Sequence, residues 1–279
     1  MPAYLRPTSL SEALAALARE RLTVLAGGTD YYPSKVGKAL TDDILDISAI
    51  AALRGIREDA THWRIGATTT WSDLAAAALP PLFDGLKLAA GEIGGAQIQN
   101  AGTIGGNLCN ASPAADGVPP LLALDARVEI ADATGGIVVA LGDFLLGNRK
   151  TALRPGQLLT AILLPKPAHA ARSHFIKLGA REYLVVSIAI VAATLEIEAG
   201  RVRAARIAVG ACSSVAQRLP LAEAALAGKP CDAALGAWLR AEHLAALSPF
   251  DDVRASAAYR LDAALTLARR VLNHLGAQA

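Results

Sequence analysis

Two glycine-rich segments place the strongest constraint on how this chain can fold. In the first, residues 24–30 (VLAGGTD), an apolar strand ends in two glycines, which let the backbone turn without a Cβ in the way. The exposed N–H groups of such a turn form a concave nest that attracts phosphate oxygens. A plain tight turn has the same pattern, so this segment indicates a phosphate site only in combination with others.

The second segment, residues 101–116 (AGTIGGNLCNASPAAD), begins in a glycine-dense stretch over residues 91–106. Glycine is unfavourable inside helices and strands, so we expect this stretch to form a loop against which another body lies. A purely structural Ω-loop is the alternative. Asp116 follows this stretch and could accept hydrogen bonds from ribose hydroxyls. Together, the two segments favour a cofactor that is rich in phosphate.

Neither segment matches the dinucleotide fingerprint G-x-G-x-x-G. Three glycines at that spacing, followed by a helix and a distant acidic residue, would indicate a Rossmann fold. Because they are absent, a nucleotide would have to be bound in a different way.

The composition argues against several classes of protein. Aromatic residues make up 4% of the chain and the net charge is +2 with dispersed basic residues, which disfavours nucleic-acid binding. The three cysteines and five histidines show no metal-ligand spacing, so we expect no metal and no iron–sulfur cluster on this chain. We see no export signal and no apolar stretch long enough to span a bilayer, so we expect a soluble, cytoplasmic protein without a membrane span.

Hydrophobic periodicity divides the chain into three zones, residues 1–55, 56–168 and 169–279. Strands are predicted where apolar residues alternate or cluster between turn residues, at 22–26, 43–47, 62–67, 127–131, 137–141, 187–197 and 202–211. Helices are predicted from Ser9 or Ser11, from Ser72 or Asp73, and over 261–275 with Gly276 as the C-cap.

Three motifs in combination carry a resemblance to a known family: AGGTD at 26–30, TIGGN at 103–107 and SPAAD at 112–116. The chain resembles the FAD-binding subunit of the molybdenum hydroxylases, a family that includes xanthine dehydrogenase, carbon monoxide dehydrogenase and 4-hydroxybenzoyl-CoA reductase. The order and separation of the motifs are specific. The resemblance extends over the whole chain, including KLGAR at 177–181 and RASAAYR at 254–260.

The resemblance implies an α+β fold. A two-part FAD-binding domain of the vanillyl-alcohol-oxidase type, 1–55 and 56–168, would be followed by a smaller α+β domain, 169–279, with an antiparallel sheet and helices. The glycine segments would enclose the FAD pyrophosphate, and Asp116 would serve the ribose side. The residues expected to bind the cofactor are Val24, Leu25, Ala26, Gly27, Gly28, Thr29, Asp30, Ile93, Ala101, Gly102, Thr103, Ile104, Gly105, Gly106, Asn107, Asp116, Leu158 and Lys177.

The function that the resemblance implies is electron transfer within a multi-subunit enzyme. Substrate would be oxidised on a molybdenum-cofactor large subunit, and electrons would cross a [2Fe-2S] small subunit to FAD on this chain. They would leave for NAD, a quinone or another acceptor. No residue is predicted to be catalytic, because the flavin carries the redox chemistry and no acid–base constellation is visible.

Two other functions stay open on the sequence alone. An autonomous FAD-dependent reductase or oxidase of the same fold would need a proton donor close to the flavin, and a cofactor-free assembly module would bind no flavin at all. Tyr183 is the first candidate to cover the isoalloxazine ring, with core packing as the alternative. Cys109 is expected to be a small buried hydrophobic side chain.

Overall fold

Residues 2–278 are described by a computed structural model, in which the strands form three larger sheets and one two-stranded hairpin. The first sheet is parallel, has the strand order β1-β3-β2 and lies in the first zone. Its elements are β1 (Tyr4–Leu5), α1 (Leu10–Arg19), β2 (Thr23–Leu25), α2 (Tyr31–Ser34) and β3 (Ile44–Asp46). Helix α1 begins after Ser9, whose hydroxyl accepts a hydrogen bond from the Glu12 N–H at 3.3 Å. The predicted cap is therefore confirmed.

The second zone contains an antiparallel five-stranded sheet with the order β4-β5-β10-β6-β7. Helices α3 to α7 lie between its second and third strands in sequence, and the small hairpin β8–β9 precedes its last strand. The elements are β4 (Ile56–Glu58), β5 (His62–Gly66), α3 (Trp71–Ala76), α4 (Asp84–Glu92), α5 (Ala96–Ala101), α6 (Ile104–Asn110), α7 (Val118–Ala123), β6 (Arg127–Asp132), β7 (Gly135–Ala140), α8 (Leu141–Phe144), β8 (Leu145–Gly147), β9 (Lys150–Thr151) and β10 (Leu158–Pro165).

The third zone is an antiparallel sheet, β11-β12-β13-β14, covered on one face by the last helix. The long hairpin that the sequence predicts is present. The elements are β11 (Ala171–Leu178), β12 (Ala189–Glu198), β13 (Arg201–Gly210), β14 (Gln217–Arg218), α9 (Pro220–Leu226) and α10 (Ala257–Ala277). The α+β fold class, with antiparallel sheets in the second and third zones, is confirmed.

The second and third zones share a hydrophobic core. Phe175, Ile190 and Ala192 of the third sheet belong to the same buried cluster as the helices and strands of the second zone. The hydroxyl of Ser173 accepts a hydrogen bond from the Gly85 N–H at 2.9 Å and donates one to the Leu82 carbonyl at 2.6 Å. Strand β11 is thus joined to the start of α4 by packing and by hydrogen bonds.

Two expectations about glycine are wrong. The stretch 91–106 is not one loop, because it contains α5 and the first turn of α6. Gly276 is not a C-cap, because it lies inside α10 and is buried. A neighbouring main chain explains one glycine in each place. A Cβ on Gly105 would lie 2.6 Å from the Ala67 carbonyl oxygen, and a Cβ on Gly276 would lie 1.9 Å from the Asp232 carbonyl oxygen.

Candidate functional site

An open cleft of about 510 Å³ separates the first zone from the second. One wall is the end of β2 and the following turn, residues 23–31, and the other is helix α6 with the segment before it. Leu158 and Leu159 of β10 line the cleft as well. Binding sites for small molecules and cofactors commonly have volumes of 300–1,000 Å³, so this cleft is of the right size.

The two glycine segments meet in this cleft. A Cβ on Gly27 would lie 1.8 Å from the Ala101 carbonyl oxygen, so the main chains of the two segments are in direct contact there. A Cβ on Gly102 would lie 3.4 Å from the Thr29 hydroxyl. The two segments therefore come together as predicted. The atoms packed directly against Gly27 and Gly102 nevertheless belong to the protein chain.

Backbone N–H groups that could bind an anion are found in the first segment. Within residues 2–278, the N–H groups of Gly27, Gly28, Thr29 and Asp30 form no hydrogen bond, and Gly28 has a φ of 69° that favours glycine. A turn of successive free N–H groups is a nest for phosphate oxygens.

The second segment differs, because the N–H groups at the start of helix α6 already have hydrogen-bond partners. Ile104 donates to the Thr69 carbonyl at 3.0 Å, and Gly105 donates to the Ala67 carbonyl at 2.9 Å. The Thr103 hydroxyl caps the helix by accepting from Gly106 at 3.0 Å. A Cβ on Gly105 would lie 2.6 Å from the Ala67 oxygen, so this glycine permits close packing of α6 on the chain after β5.

Most of the residues predicted to bind the cofactor line the cleft. They are Val24, Leu25, Ala26, Gly27, Gly28, Thr29, Asp30, Ile93, Gly102, Thr103, Gly105, Gly106, Asn107 and Leu158. The other four, Ala101, Ile104, Asp116 and Lys177, are not part of its lining. Ile104 is buried in the core, and Ala101 supplies the carbonyl that Gly27 contacts.

Asp116 and Lys177 bind each other. The Lys177 ammonium lies 2.8 Å from an Asp116 carboxylate oxygen, and the Ser187 hydroxyl donates to the other oxygen at 2.6 Å. Burial raises the pKa of Asp116, while Lys177 and Ser187 oppose that shift by stabilising the carboxylate. Since Lys177 also donates to the Glu92 carbonyl, next to cleft-lining Ile93, the pair lies just behind one end of the cleft.

Arg149 is a cleft residue that the sequence analysis missed. It lies in the turn between β8 and β9, and its guanidinium is 3.2 Å from a carboxylate oxygen of Asp30 across the cleft. Asn110, at the end of α6, also donates to Asp30, at 3.3 Å. The chain has 27 Lys and Arg residues, and nothing in its order of residues singles out this one.

Two further residues differ from or extend the sequence-based expectations. Cys109 is not buried, because it is exposed and lines the cleft. Tyr183 is 59% exposed, so it is not a core residue, and its covering of a flavin ring stays a prediction.

The residues of the cleft fit a flavin nucleotide. Ile47, Ile93, Ile98 and Leu159 offer apolar surface for ring systems, next to the free N–H groups for phosphates. The Oδ1 atom of Asn107 is buried and has no hydrogen-bond partner within residues 2–278, which is an acceptor that a sugar or ribityl hydroxyl would satisfy.

Two observations concern other kinds of site. In the part of the chain described, residues 2–278, no helix is both long and apolar enough to cross a bilayer. The same residues contain no group of three or more His, Cys, Asp or Glu side chains placed to hold a metal ion.

Two protein families match successive parts of the chain. Residues 1–167 match the family described as the FAD binding domain in molybdopterin dehydrogenase. Residues 174–275 match the CO dehydrogenase flavoprotein C-terminal domain. The first match alone covers more than half of the chain.

Individual relatives match the chain over almost its full length. The carbon monoxide dehydrogenase medium chain of Afipia carboxidovorans is 32% identical, over 99% of this chain and 97% of the relative. The putative xanthine dehydrogenase FAD-binding subunit of Escherichia coli is 31% identical, over 99% and 96%.

Solved structures agree with these matches. The reconstituted CO dehydrogenase from Oligotropha carboxidovorans has a TM-score of 0.91 at 30% identity, over 100% of this chain and 99% of that one. Quinoline 2-oxidoreductase from Pseudomonas putida has a TM-score of 0.89 at 26% identity, over 100% and 98%. The chain therefore belongs to the FAD-binding medium subunits of the molybdenum hydroxylase family, and it is an oxidoreductase subunit whose cofactor is FAD.

Proposed function

We propose that this chain binds FAD in the cleft between the turn 27–30 and helix α6 and uses it to pass electrons. The electrons come from iron–sulfur clusters on a partner chain and leave for NAD, a quinone or another acceptor. The partners are a molybdenum-cofactor large subunit, on which substrate is oxidised, and a [2Fe-2S] small subunit. The relatives named as a CO dehydrogenase medium chain and a xanthine dehydrogenase FAD-binding subunit support this proposal.

The observation that carries the proposal is the row of free N–H groups from Gly27 to Asp30, facing a wall formed by α6. These donors hold the diphosphate, whose two negative charges suit a nest of N–H dipoles. Gly106 lies on the opposite wall and is exposed, so the cofactor passes close to its main chain. Asn107 accepts from a hydroxyl of the cofactor through its unpartnered Oδ1 atom.

Bound FAD supplies the electron-transfer chemistry, and the protein fixes its position and excludes water. Ile93 and Ile98 form the apolar surface at the end of the cleft where the pair Asp116–Lys177 lies behind the wall. The exposed side chains of Tyr183 and Leu184 follow β11, and Leu184 lies 3.6 Å from the position of a Cβ on Gly95. We assign the flavin ring to this end and the adenosine to the opposite end of the cleft.

We also infer a cytoplasmic location for the chain. All three cysteines, Cys109, Cys212 and Cys231, are free thiols. Free thiols without a disulfide framework are typical of a reducing compartment.

A substitution at Gly106 tests the site with less disturbance of the fold than one at Gly105. A Cβ on Gly106 would meet only the Thr103 hydroxyl at 2.9 Å, whereas one on Gly105 would clash with the main chain at Ala67. Gly106→Val is expected to fold but to lose most of its FAD, because the side chain occupies the space of the cofactor. Gly91→Val is the matched control, since Gly91 is also helical, has nothing within 4 Å of its Cβ position and lies outside the cleft.

The measurement is the flavin absorbance of purified protein, with circular dichroism to verify folding, and a native purification to identify the partner chains. Equal FAD content in Gly106→Val and Gly91→Val would refute the site. A colourless native protein would refute the electron-transfer function. An isolated single chain that oxidises or reduces a substrate by itself would refute the role as a subunit.

A further inference from the structure

An ion pair between Asp30 and Arg149 lies among the residues that line the cleft. Asp30 belongs to the first glycine turn, and Arg149 belongs to the β8–β9 hairpin, 119 residues later in the sequence. The guanidinium Nη1 and Nη2 atoms lie 3.2 Å and 3.4 Å from the two carboxylate oxygens of Asp30. Both side chains are half-exposed, at 50% and 62%, so solvent and salt reach the pair.

The carboxylate of Asp30 would disfavour the binding of an anionic cofactor if its charge were not neutralised. Among the residues that line the cleft, Asp30 is the acidic side chain and Arg149 is the basic one. The carboxylate of Asp30 belongs to the same turn as the free N–H groups proposed to hold the diphosphate. An unneutralised carboxylate there would repel each of the two phosphate charges.

The backbone at Arg149 shows that the hairpin holds this side chain at a cost. Arg149 has a φ of 55°, a left-handed conformation that glycine adopts freely and that is unfavourable for other residues. Its own N–H donates to the carbonyl of Ala111, the C-cap residue that follows α6, at 3.1 Å. The hairpin turn is therefore fixed to the helix that forms the second wall of the cleft.

We propose that Arg149 is a positioning residue for the cofactor, which neutralises Asp30 so that the FAD diphosphate can lie in the nest of the first glycine turn. This inference rests on the proposed function, since it places the diphosphate in that turn. Arg149 acts through the charge of Asp30. Its removal therefore harms FAD binding only while Asp30 is negatively charged.

The experiment measures the rate of FAD release from the native chain and its variants by the recovery of flavin fluorescence. Two phosphate charges several ångströms from a solvent-exposed carboxylate give a repulsion that corresponds to about a tenfold faster release in Arg149→Gln. Arg149→Lys keeps the positive charge and should release FAD at close to the native rate. Raising the salt concentration should shrink the defect of Arg149→Gln, because the repulsion is screened.

The double variant Asp30→Asn/Arg149→Gln provides the decisive comparison, since it removes both charges and should restore slow release. Arg203→Gln is the control, because it removes one positive charge, as Arg149→Gln does, but at a place outside the cleft. Arg203 is 64% exposed and pairs with Glu198. Native release from Arg149→Gln, or a double variant as defective as the single one, would overturn the inference. Those outcomes would not contradict the proposed FAD site. That proposal is refuted by a different result, the retention of FAD by Gly106→Val.

Discussion

Replacing Lys177 with methionine should lower the free energy of unfolding by about 3 kcal/mol or more. Methionine keeps much of the aliphatic volume of lysine, so the cost arises from the charge left behind on Asp116. The side chains of Lys177 and Asp116 are only 5% and 11% exposed. Removing one partner of a buried ion pair typically costs about 3–5 kcal/mol, because the other charge has no counterpart. Ser187 still donates to Asp116, which favours the lower end of this range.

The pH dependence of this loss has a definite sign. Burial already raises the pKa of Asp116, and the loss of Lys177 removes the main opposing influence. A carboxyl whose pKa is higher in the folded state than in the unfolded state favours folding at low pH and disfavours it once ionised. The stability deficit of Lys177→Met should therefore be larger at pH 8 than at pH 5.

The assay is urea unfolding of the flavin-free protein, followed by circular dichroism, so that cofactor binding does not contribute. A loss of about 3 kcal/mol should move the midpoint by roughly 1 M urea. Lys166→Met is the matched control, because Lys166 lies 2.7 Å from Glu58 in a partly exposed pair, with side chains 29% and 58% exposed, for which about 1 kcal/mol or less is expected. Adding Asp116→Asn to Lys177→Met should recover part of the loss. Native stability of Lys177→Met together with weakened FAD binding would refute this reasoning and support direct contact of Lys177 with the cofactor.

Two further changes test other features of the fold. Gly27→Ala should separate the two glycine segments, because the new Cβ would lie 1.8 Å from the Ala101 carbonyl oxygen. The midpoint of thermal unfolding should fall strongly. The control Gly142→Ala should leave the midpoint unchanged, because the Cβ position of Gly142 has no atom within 4 Å. Burial and the stacked ring of His274 lower the pKa of His174 from 6.5 to about 4, so the unfolded chain binds more protons than the folded one in this range. Stability should therefore fall as the pH is lowered from about 6.5 to about 4, and His174→Gln should reduce that dependence; an unchanged profile would contradict the burial of this ring.

The glycine motifs, through the family that they resemble, were sufficient to predict that two distant segments meet at one cleft, but not what the individual glycines do. Glycine's cost inside a helix predicts a loop around Gly105, whereas the structure has the first turn of α6 there. The reason is a tertiary contact, the approach of α6 to the main chain at Ala67. No local pattern around Gly105 contains that information, because the carbonyl that it contacts belongs to Ala67, 38 residues earlier in the sequence.

The charged residues of the site show the same limit. Asp116 and Lys177 could each be placed near the cofactor from their motifs, yet their closest charged partner is the other residue. Arg149 could not be found at all, since its importance depends on a hairpin that brings it to Asp30. Sequence motifs were thus enough to predict the residues that form the cleft. The ion pairs around the cleft could be identified only from the three-dimensional structure.

The shared core of the second and third zones has a consequence for dividing this chain. The two family matches end and begin at residues 167 and 174, which suggests two separable pieces. A fragment that ended before β11 would nevertheless leave the surface that Phe175 covers open to water, and the Gly85 N–H would lose its partner on Ser173. Such a fragment should aggregate when expressed alone. Chimaeras that exchange the C-terminal region between relatives would have to carry the facing residues of α4 with it.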